Sequence, residues 1–492
     1  MKELLDSPYK KFFLLSLLCN LVASWFSLGY HQIDEHFMIL EFASFRFGTV
    51  PASVIPWEFT DKIRPTLQPA FAHYVFSLLR AAGIGNPFVQ VFLLRAFSCI
   101  LAWYVGCKTA LRLAPQLENE RPRFWWVVSA TCLWFIPYLQ VRFSSENFAG
   151  IVLLAALLCI PGVYRRGAYR ESGIRWIAAG FLLGLSFYFR FQMAFAIAGL
   201  LVWIAMYAKP LVKAYALLLA GALLAVGLNL LVDHWFYGAW VLTPYNYFHA
   251  NIVRDAASGY GTTPWYDYFI LFATQGIPPI SWVLLLLFFI GLVKRPLQLM
   301  VFVLVPFLLG HMAVGHKEFR FLYPVFLPFL FVCFSGLHSI WTGIEGKKWL
   351  NPTLKVLVTV NLLLLCYRCL WPAKTNHLYY QFLYRYAKGK PLHLLTLGRS
   401  IYDEGHNEIY LYRPAGLSED TLSETHFRNY LQQQQPDSAL VMSYQPVLPP
   451  LNPAYEAERL YVYLPSWVMN IRLNDWQSRS DIWSIWLLRK KS

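Results

Sequence analysis

Between Lys10 and Phe37 the chain reads KKFFLLSLLCNLVASWFSLGYHQIDEHF. Two lysines precede an apolar run over 12–29, and Asp34-Glu35 follow it with histidines on either side. A run of that length crosses a hydrocarbon core about 30 Å thick. Lysines ahead of an apolar run also suit a signal peptide, but no small-x-small cleavage site follows, so the run reads as a retained first helix. The carboxylates then stand at the mouth of a membrane helix.

The rest of the chain repeats the first half of that pattern. Of its 492 residues 57% are hydrophobic, 18% aromatic and 14% charged, and the mean hydropathy is +0.42. Soluble domains devote about a quarter of their residues to charge. The apolar blocks predict an all-α polytopic membrane protein with about eleven transmembrane helices. They fall near 12–29, 88–107, 124–140, 147–163, 176–190, 192–208, 214–232, 275–293, 297–313, 322–342 and 355–371.

The net charge of +15 raises nucleic acid as a partner, but the placement of the charge answers otherwise. Lys108, Arg112, Arg121 and Arg123, then Arg165, Arg166, Arg170 and Arg175, then Lys209 and Lys213, Lys294 and Arg295, and Lys347 and Lys348 sit in short loops between apolar blocks. These alternate with loops poor in Lys and Arg, the positive-inside pattern. The basic balance is topology, and no nucleic acid is expected. All eight cysteines lie inside apolar blocks, so neither a disulfide framework nor a thiolate metal site is indicated.

With an odd number of spans and a cytoplasmic N-terminus, four segments face the outside: 30–87, 141–147, 233–268 and 316–321. Past residue 372 the composition turns mixed and polar, with β-like patches at Ile409–Tyr412 and Ser438–Met442. The expected organisation is a membrane module over 1–371 and a small outer-face α/β domain over 372–492.

Ionisable residues gather on that one face: Asp34, Glu35, Arg142, Glu146, Arg190, and then His316, Lys317, Glu318 and Arg320. Solute carriers place such groups near the midplane, whereas an interfacial site suits a reaction on a lipid-borne substrate. The fitting chemistry is sugar transfer from a polyprenyl-phosphate donor to a glycan or glycolipid acceptor, among membrane lipids. A weak acceptor hydroxyl needs a carboxylate as base. The leaving lipid phosphate needs cations, for which Arg190, His316, Lys317 and Arg320 are the candidates. Adjacent side chains diverge, so only one of Asp34 and Glu35 serves as base and the other orients a loop or a sugar hydroxyl. A solvated acidic flank, transfer of a different lipid-phosphate-linked sugar, and a non-catalytic carrier or flippase of lipid-linked glycans are the competing readings. His31 and His36 lack helical metal-pair spacing, so no metal or cofactor is expected.

These segments resemble glycosyltransferase family 22, whose members use polyprenyl-phosphate mannose. HKEFRFLYPVFLP (316–328) is similar to the family's HKE-x-RF signature, and IDEHFMILE (33–41) to its first-loop DE segment. VIPWEFTDKIRPTLQP (54–69), RFSSEN (142–147) and the TPYNYF and YGTTPWYDY stretches within 237–268 resemble further motifs in the same order. The likeness runs over about residues 12–345. It implies the GT-C fold, an inverting single displacement, and Asp34 as the general base. It also implies substrate contacts from Trp57, Glu58, Arg64, Arg142, Glu146, Asn246, Trp265 and Glu318. Ile33 stands where the family commonly has Pro, and PWYDY where it has PWHWY. A bacterial inner membrane is favoured by the lack of usable N-glycosylation sequons, with the endoplasmic reticulum as alternative. The site is expected on the periplasmic or lumenal face.

Overall fold

The computed structural model describes residues 1–160, 173–208, 211–405, 407–450, 452–471, 473–474, 476–480 and 482–491. Arg165, Arg166, Arg170 and Lys209 of the basic loops lie outside the described residues. The chain forms two compact units. One holds Met1–Ser27, Trp57–Gly83 and Gln90–Trp371; the other holds Leu28–Pro56, Ile84–Val89 and Pro372–Ser492.

The first unit is helical, and each of the eleven apolar blocks contains helix among its described residues, 161–163 lying outside them. The number of membrane crossings they make is a separate matter of length and composition. Among the described residues Pro87–Gln116, Val212–Tyr237, Phe319–Ile344 and Leu350–Leu370 are long and apolar enough to span a membrane. Ile280–Lys294 and Leu299–Ala313, bent by 115° at their junction, make a fifth if counted as one broken span. Ser145–Cys159, Gly173–Phe189 and Met193–Ala208 are shorter apolar helices. The block at 124–140 is interrupted, with helix over Glu120–Cys132 and again over Ile136–Gln140. Asn361 repairs the break: its Oδ1 accepts the Trp134 N–H at 2.8 Å and its Nδ2 donates to the Cys132 carbonyl at 3.0 Å. Backbone groups freed inside an apolar bundle need such a partner.

The segment 30–87, expected as a loop, contains a 15-residue helix, Leu67–Ala81. Gln68, Pro69, Ala72 and Phe76 form its buried face, while Phe71, Tyr74 and Leu78 are exposed. Gln68, His73, Ser77 and Arg80 recur through it, so its sequence is not a continuous apolar run.

Glycines allow the helices to touch at the backbone. A Cβ on Gly180 would lie 2.0 Å from the Leu218 carbonyl oxygen, and one on Gly221 would lie 2.0 Å from that of Ile177. Gly291 against Val332 and Gly336 against Leu287 repeat the reciprocal arrangement at 2.2 and 2.1 Å. Without a hydrophobic drive between helices in lipid, close approach of this kind supplies the packing.

Asp233, fully buried near the end of helix Val212–Tyr237, ties three segments together. One carboxylate oxygen accepts the Thr66 N–H at 2.8 Å and the Thr66 hydroxyl at 2.6 Å, and the other accepts the Thr243 hydroxyl at 3.0 Å. Asp233→Ala would strand three buried donors, at about 1–3 kcal/mol for each left unsatisfied. Thermal unfolding in detergent should show a loss of at least ~3 kcal/mol. A shift under ~1 kcal/mol would mean that water replaces the carboxylate.

The second unit carries a five-stranded mixed sheet of order β2-β1-β3-β5-β4, built from β1 (Leu392–Leu397), β2 (Leu417–Leu422), β3 (Ser438–Ser443), β4 (Tyr455–Tyr461) and β5 (Ser484–Lys490). β1 runs parallel to β2 and β3, and β5 antiparallel to β3 and β4. Helix Glu424–Gln434 connects β2 to β3 and buries Phe427 and Leu431 against Leu395, Val441 and Leu488. The β-like patch at Ser438–Met442 is strand, whereas Ile409–Tyr412 is not. The Tyr410 and Leu411 N–H groups bond a side chain, Glu41, instead of a neighbouring strand. Residues 28–56, assigned by sequence to the membrane module, pack in this unit with the C-terminal chain.

Candidate active site

The polar residues of the first unit meet at helix ends. Glu146 opens helix Ser145–Cys159, with the Ser144 hydroxyl accepting the Asn147 N–H at 3.3 Å as its cap. Arg190 stands in the break between Gly173–Phe189 and Met193–Trp203. Arg320 lies on the 3-10 helix Phe319–Val325, where a polar turn meets the apolar helix Phe326–Ile344. Gly150, four residues after Glu146, packs on Pro324, four residues after Arg320. A Cβ on Gly150 would come 2.8 Å from the Pro324 carbonyl oxygen. That close crossing sets the two charged residues side by side.

The result is a ladder of alternating charge. Glu146 lies 3.4 Å from Arg190 and 3.6 Å from Arg320. Arg320 donates to both oxygens of Glu318, from Nε at 2.8 Å and from Nη2 at 2.9 Å. Glu318 also receives His316 Nε2 at 3.1 Å, and His316 Nδ1 faces the Gly261 carbonyl at 3.0 Å. Both guanidinium groups lie over the Phe321 ring, at 4.9 and 5.2 Å from its centre. Glu146, Arg190 and Arg320 are all buried; Glu318 holds the Arg320 fork with two hydrogen bonds, and Glu146 pairs with both guanidinium groups.

Other expected site residues serve the scaffold. Lys317 donates to the carbonyls of Thr263, Val314 and Gly315 at 2.9, 2.7 and 3.3 Å. An ammonium has three protons, so this pattern leaves none for a phosphate; burial lowers its pKa from the ordinary lysine value. Arg142, 2% exposed, caps carbonyls at Tyr138 (3.2 Å) and Ser27 (2.9 Å) and bonds the Ser27 hydroxyl. These bonds close the end of helix Ile136–Gln140.

Trp57, Glu58, Arg64 and Asn246 form a second group around the turn at 57–64. Trp57 donates to the Tyr260 hydroxyl at 3.2 Å, and Glu58 and Arg64 pair at 3.7 Å. Asn246 donates to the Asp61 and Lys62 carbonyls, each at 3.3 Å. Trp265 stays 61% exposed, stacked edge-on against Tyr266.

Asp34 and Glu35 belong to the second unit, on the short helical turn Ile33–Glu35. Glu35 Oε1 accepts the N–H groups of His31 at 3.2 Å and Gln32 at 3.4 Å, as part of a capping box. The cap ties Glu35 to the loop that precedes the turn, and Asp34 and Glu35 are both half-buried. Tyr30 is buried beside this turn, and burial first, with Glu404 next, holds its phenol well above the ordinary tyrosine pKa. Reading the sequence for chemistry passed over Glu41, although it closes the IDEHFMILE stretch. It is 1% exposed and bonded to His36 at 2.8 Å.

A likeness to known proteins meets this geometry. The model of the Alg9-like mannosyltransferase family matches residues 11–390, and the chain belongs to that family. GPI alpha-1,2-mannosyltransferase 3 of Bos taurus is 26% identical over 347 residues, 68% of this chain and 59% of that protein. The Homo sapiens enzyme of the same name is 25% identical over 68% of this chain and 57% of its own length. Mannosyltransferase APTG1 of Arabidopsis thaliana is 26% identical over 70% and 61%. The chain therefore spans about three-fifths of the length of these relatives. Among solved structures, ArnT from Cupriavidus metallidurans bound to undecaprenyl phosphate superposes with a TM-score of 0.52 and 12% identity, over 98% of each chain. That likeness is one of fold, of the GT-C kind.

Proposed function

We propose that the chain is an inverting mannosyltransferase of the membrane, moving mannose from a polyprenyl-phosphate donor to a lipid-linked or surface glycan. The observation that carries the reading is the Arg190–Glu146–Arg320–Glu318 ladder, two buried guanidinium groups held by carboxylates at helix ends. Family membership supports mannose, and the fold shared with a protein that binds undecaprenyl phosphate supports a lipid-phosphate donor.

The transfer is a single displacement. The acceptor hydroxyl oxygen attacks the anomeric carbon while Asp34 takes its proton. The bond from that carbon to the phosphate oxygen breaks, and its electron pair stays on the lipid phosphate. The growing negative charge is met by Arg190 and Arg320, already oriented before the substrate arrives, which is where such donors count most, while His316 orients Glu318. Lys317 and Arg142 act by holding backbone. Trp57, Glu58, Arg64, Asn246 and Trp265 remain the candidates for sugar contacts, on the periplasmic or lumenal face.

The test is to incubate purified full-length protein in nanodiscs with undecaprenyl- and dolichyl-phosphate mannose and a panel of mannosides and lipid-linked glycans. Mass spectrometry should find one added hexose, α-linked by NMR, with the rate unchanged by EDTA. A product carrying another sugar replaces the donor assignment. Movement of a lipid-linked glycan across the bilayer without any product makes the chain a carrier. Loss of turnover in EDTA with recovery on a divalent ion makes the phosphate site metal-dependent.

A further inference from the structure

Directly after the turn that bears Asp34, the stretch His36–Glu41 is π-helical. In an α-helix residues 36 and 41 would stand about 140° apart around the axis. The wider turn of a π-helix, with its i-to-i+5 hydrogen bonds, brings them toward one face. His36 Nε2 thereby reaches Glu41 Oε1 at 2.8 Å, with both side chains 1% exposed. The same oxygen accepts the N–H groups of Tyr410 at 2.8 Å and Leu411 at 3.0 Å. The next residue, Tyr412, stacks on the His36 ring at 5.6 Å and on Phe88 at 4.7 Å. One buried carboxylate oxygen thus fastens the beginning of the π-helix to a strandless stretch of the C-terminal chain.

We infer that Glu41 is a positioning residue for Asp34, and that the chain at 410–412 belongs to the catalytic machinery by way of it. Three bonds converge on one buried carboxylate oxygen, and two of their donors are backbone N–H groups with no strand partner. His36 transmits the constraint to the turn two residues earlier, where Asp34 sits. Proton abstraction tolerates little misplacement, since about 1 Å can cost 10²-fold in rate. The inference rests on Asp34 being the base, and it gives a purpose to residues beyond 390, where the family match ends.

The experiment is a double-mutant cycle on the full-length chain in nanodiscs, with undecaprenyl-phosphate mannose as donor and octyl α-mannoside as acceptor. Rates are normalised to the fraction of molecules that bind donor. Glu41→Ala should lower kcat by about 10- to 100-fold with donor KM within about 2-fold. Glu41→Gln keeps an oxygen for the Tyr410 and Leu411 N–H groups and should recover to within about 5-fold of the parent. Placed on Asp34→Asn, Glu41→Ala should cost less than about 3-fold more, because residues that act as a unit are not additive. If the alanine variant is not recovered folded, His36→Leu unhooks the turn and makes the same comparison.

Multiplicative losses in the double variant overturn the inference, as does a loss confined to KM or to the donor-binding fraction. A parent-like kcat in Glu41→Ala overturns it too. Undiminished turnover in Asp34→Asn is a separate outcome: the base assignment itself then fails, and the clamp loses its object.

Discussion

Asp34→Asn is expected to lower turnover by about 10²- to 10⁴-fold, the span that a positioned general base contributes, while donor binding stays within about 2-fold. The amide keeps the shape of the side chain and cannot accept the acceptor's proton. Glu35→Gln should cost far less. Its oxygen still receives the His31 and Gln32 N–H groups, at 3.2 and 3.4 Å in the parent, and only the charge of the cap is lost. Single-turnover measurements at saturating donor separate the two. Near-normal chemistry in Asp34→Asn with loss in Glu35→Gln would exchange the roles.

The second large effect belongs to Arg320. Arg320→Ala removes a fork held at 2.8 and 2.9 Å by Glu318 and a cation 3.6 Å from Glu146. Removing one donor from a preorganised anion site costs about 10²- to 10³-fold, so kcat/KM for the lipid-phosphate donor should fall by that much. Glu146, 3% exposed, also loses a partner, and breaking a buried pair from one side costs about 3–5 kcal/mol. The unfolding midpoint should therefore drop as well. Arg320→Lys restores a point charge but not the two-pronged contact, and it should regain stability better than rate. Equal recovery of both would make Arg320 a scaffold residue.

The ladder shows which parts of a site can be read from sequence. Arg190, Glu146 and the 316–320 turn were legible as partners because each interrupts an apolar block at the same face, and charge is too costly in lipid to lie elsewhere. Lys317 and Arg142 carried the same signal but hold carbonyls. The direction of a carbonyl at Val314 or Tyr138 is a three-dimensional fact with no trace in residue type. The helices were equally visible as apolar blocks. The interruption at Leu133–Phe135 was not, because its remedy, Asn361, lies more than two hundred residues away. Helix Leu67–Ala81 was overlooked because Gln68, His73, Ser77 and Arg80 break its apolar run. His36 drew attention for the histidine five residues before it, whereas its partner stands five residues after it, a spacing that only a π-turn makes useful.

The second unit is assembled from residues 28–56, 84–89 and 372–492, and this scheduling has a consequence for biogenesis. The bond between Glu41 and Leu411 joins residues 370 apart. At a synthesis rate of about 5–20 residues per second, roughly 20–75 s pass between the emergence of the two. Throughout that interval the segment bearing Asp34 waits without the chain that completes its fold. A nascent or prematurely terminated protein can insert helices while Glu41 still lacks the Tyr410 and Leu411 N–H groups. On the proposed reading, competence for transfer waits for the chain at 410–412, and shorter products in the membrane take up lipid and space without turning over substrate.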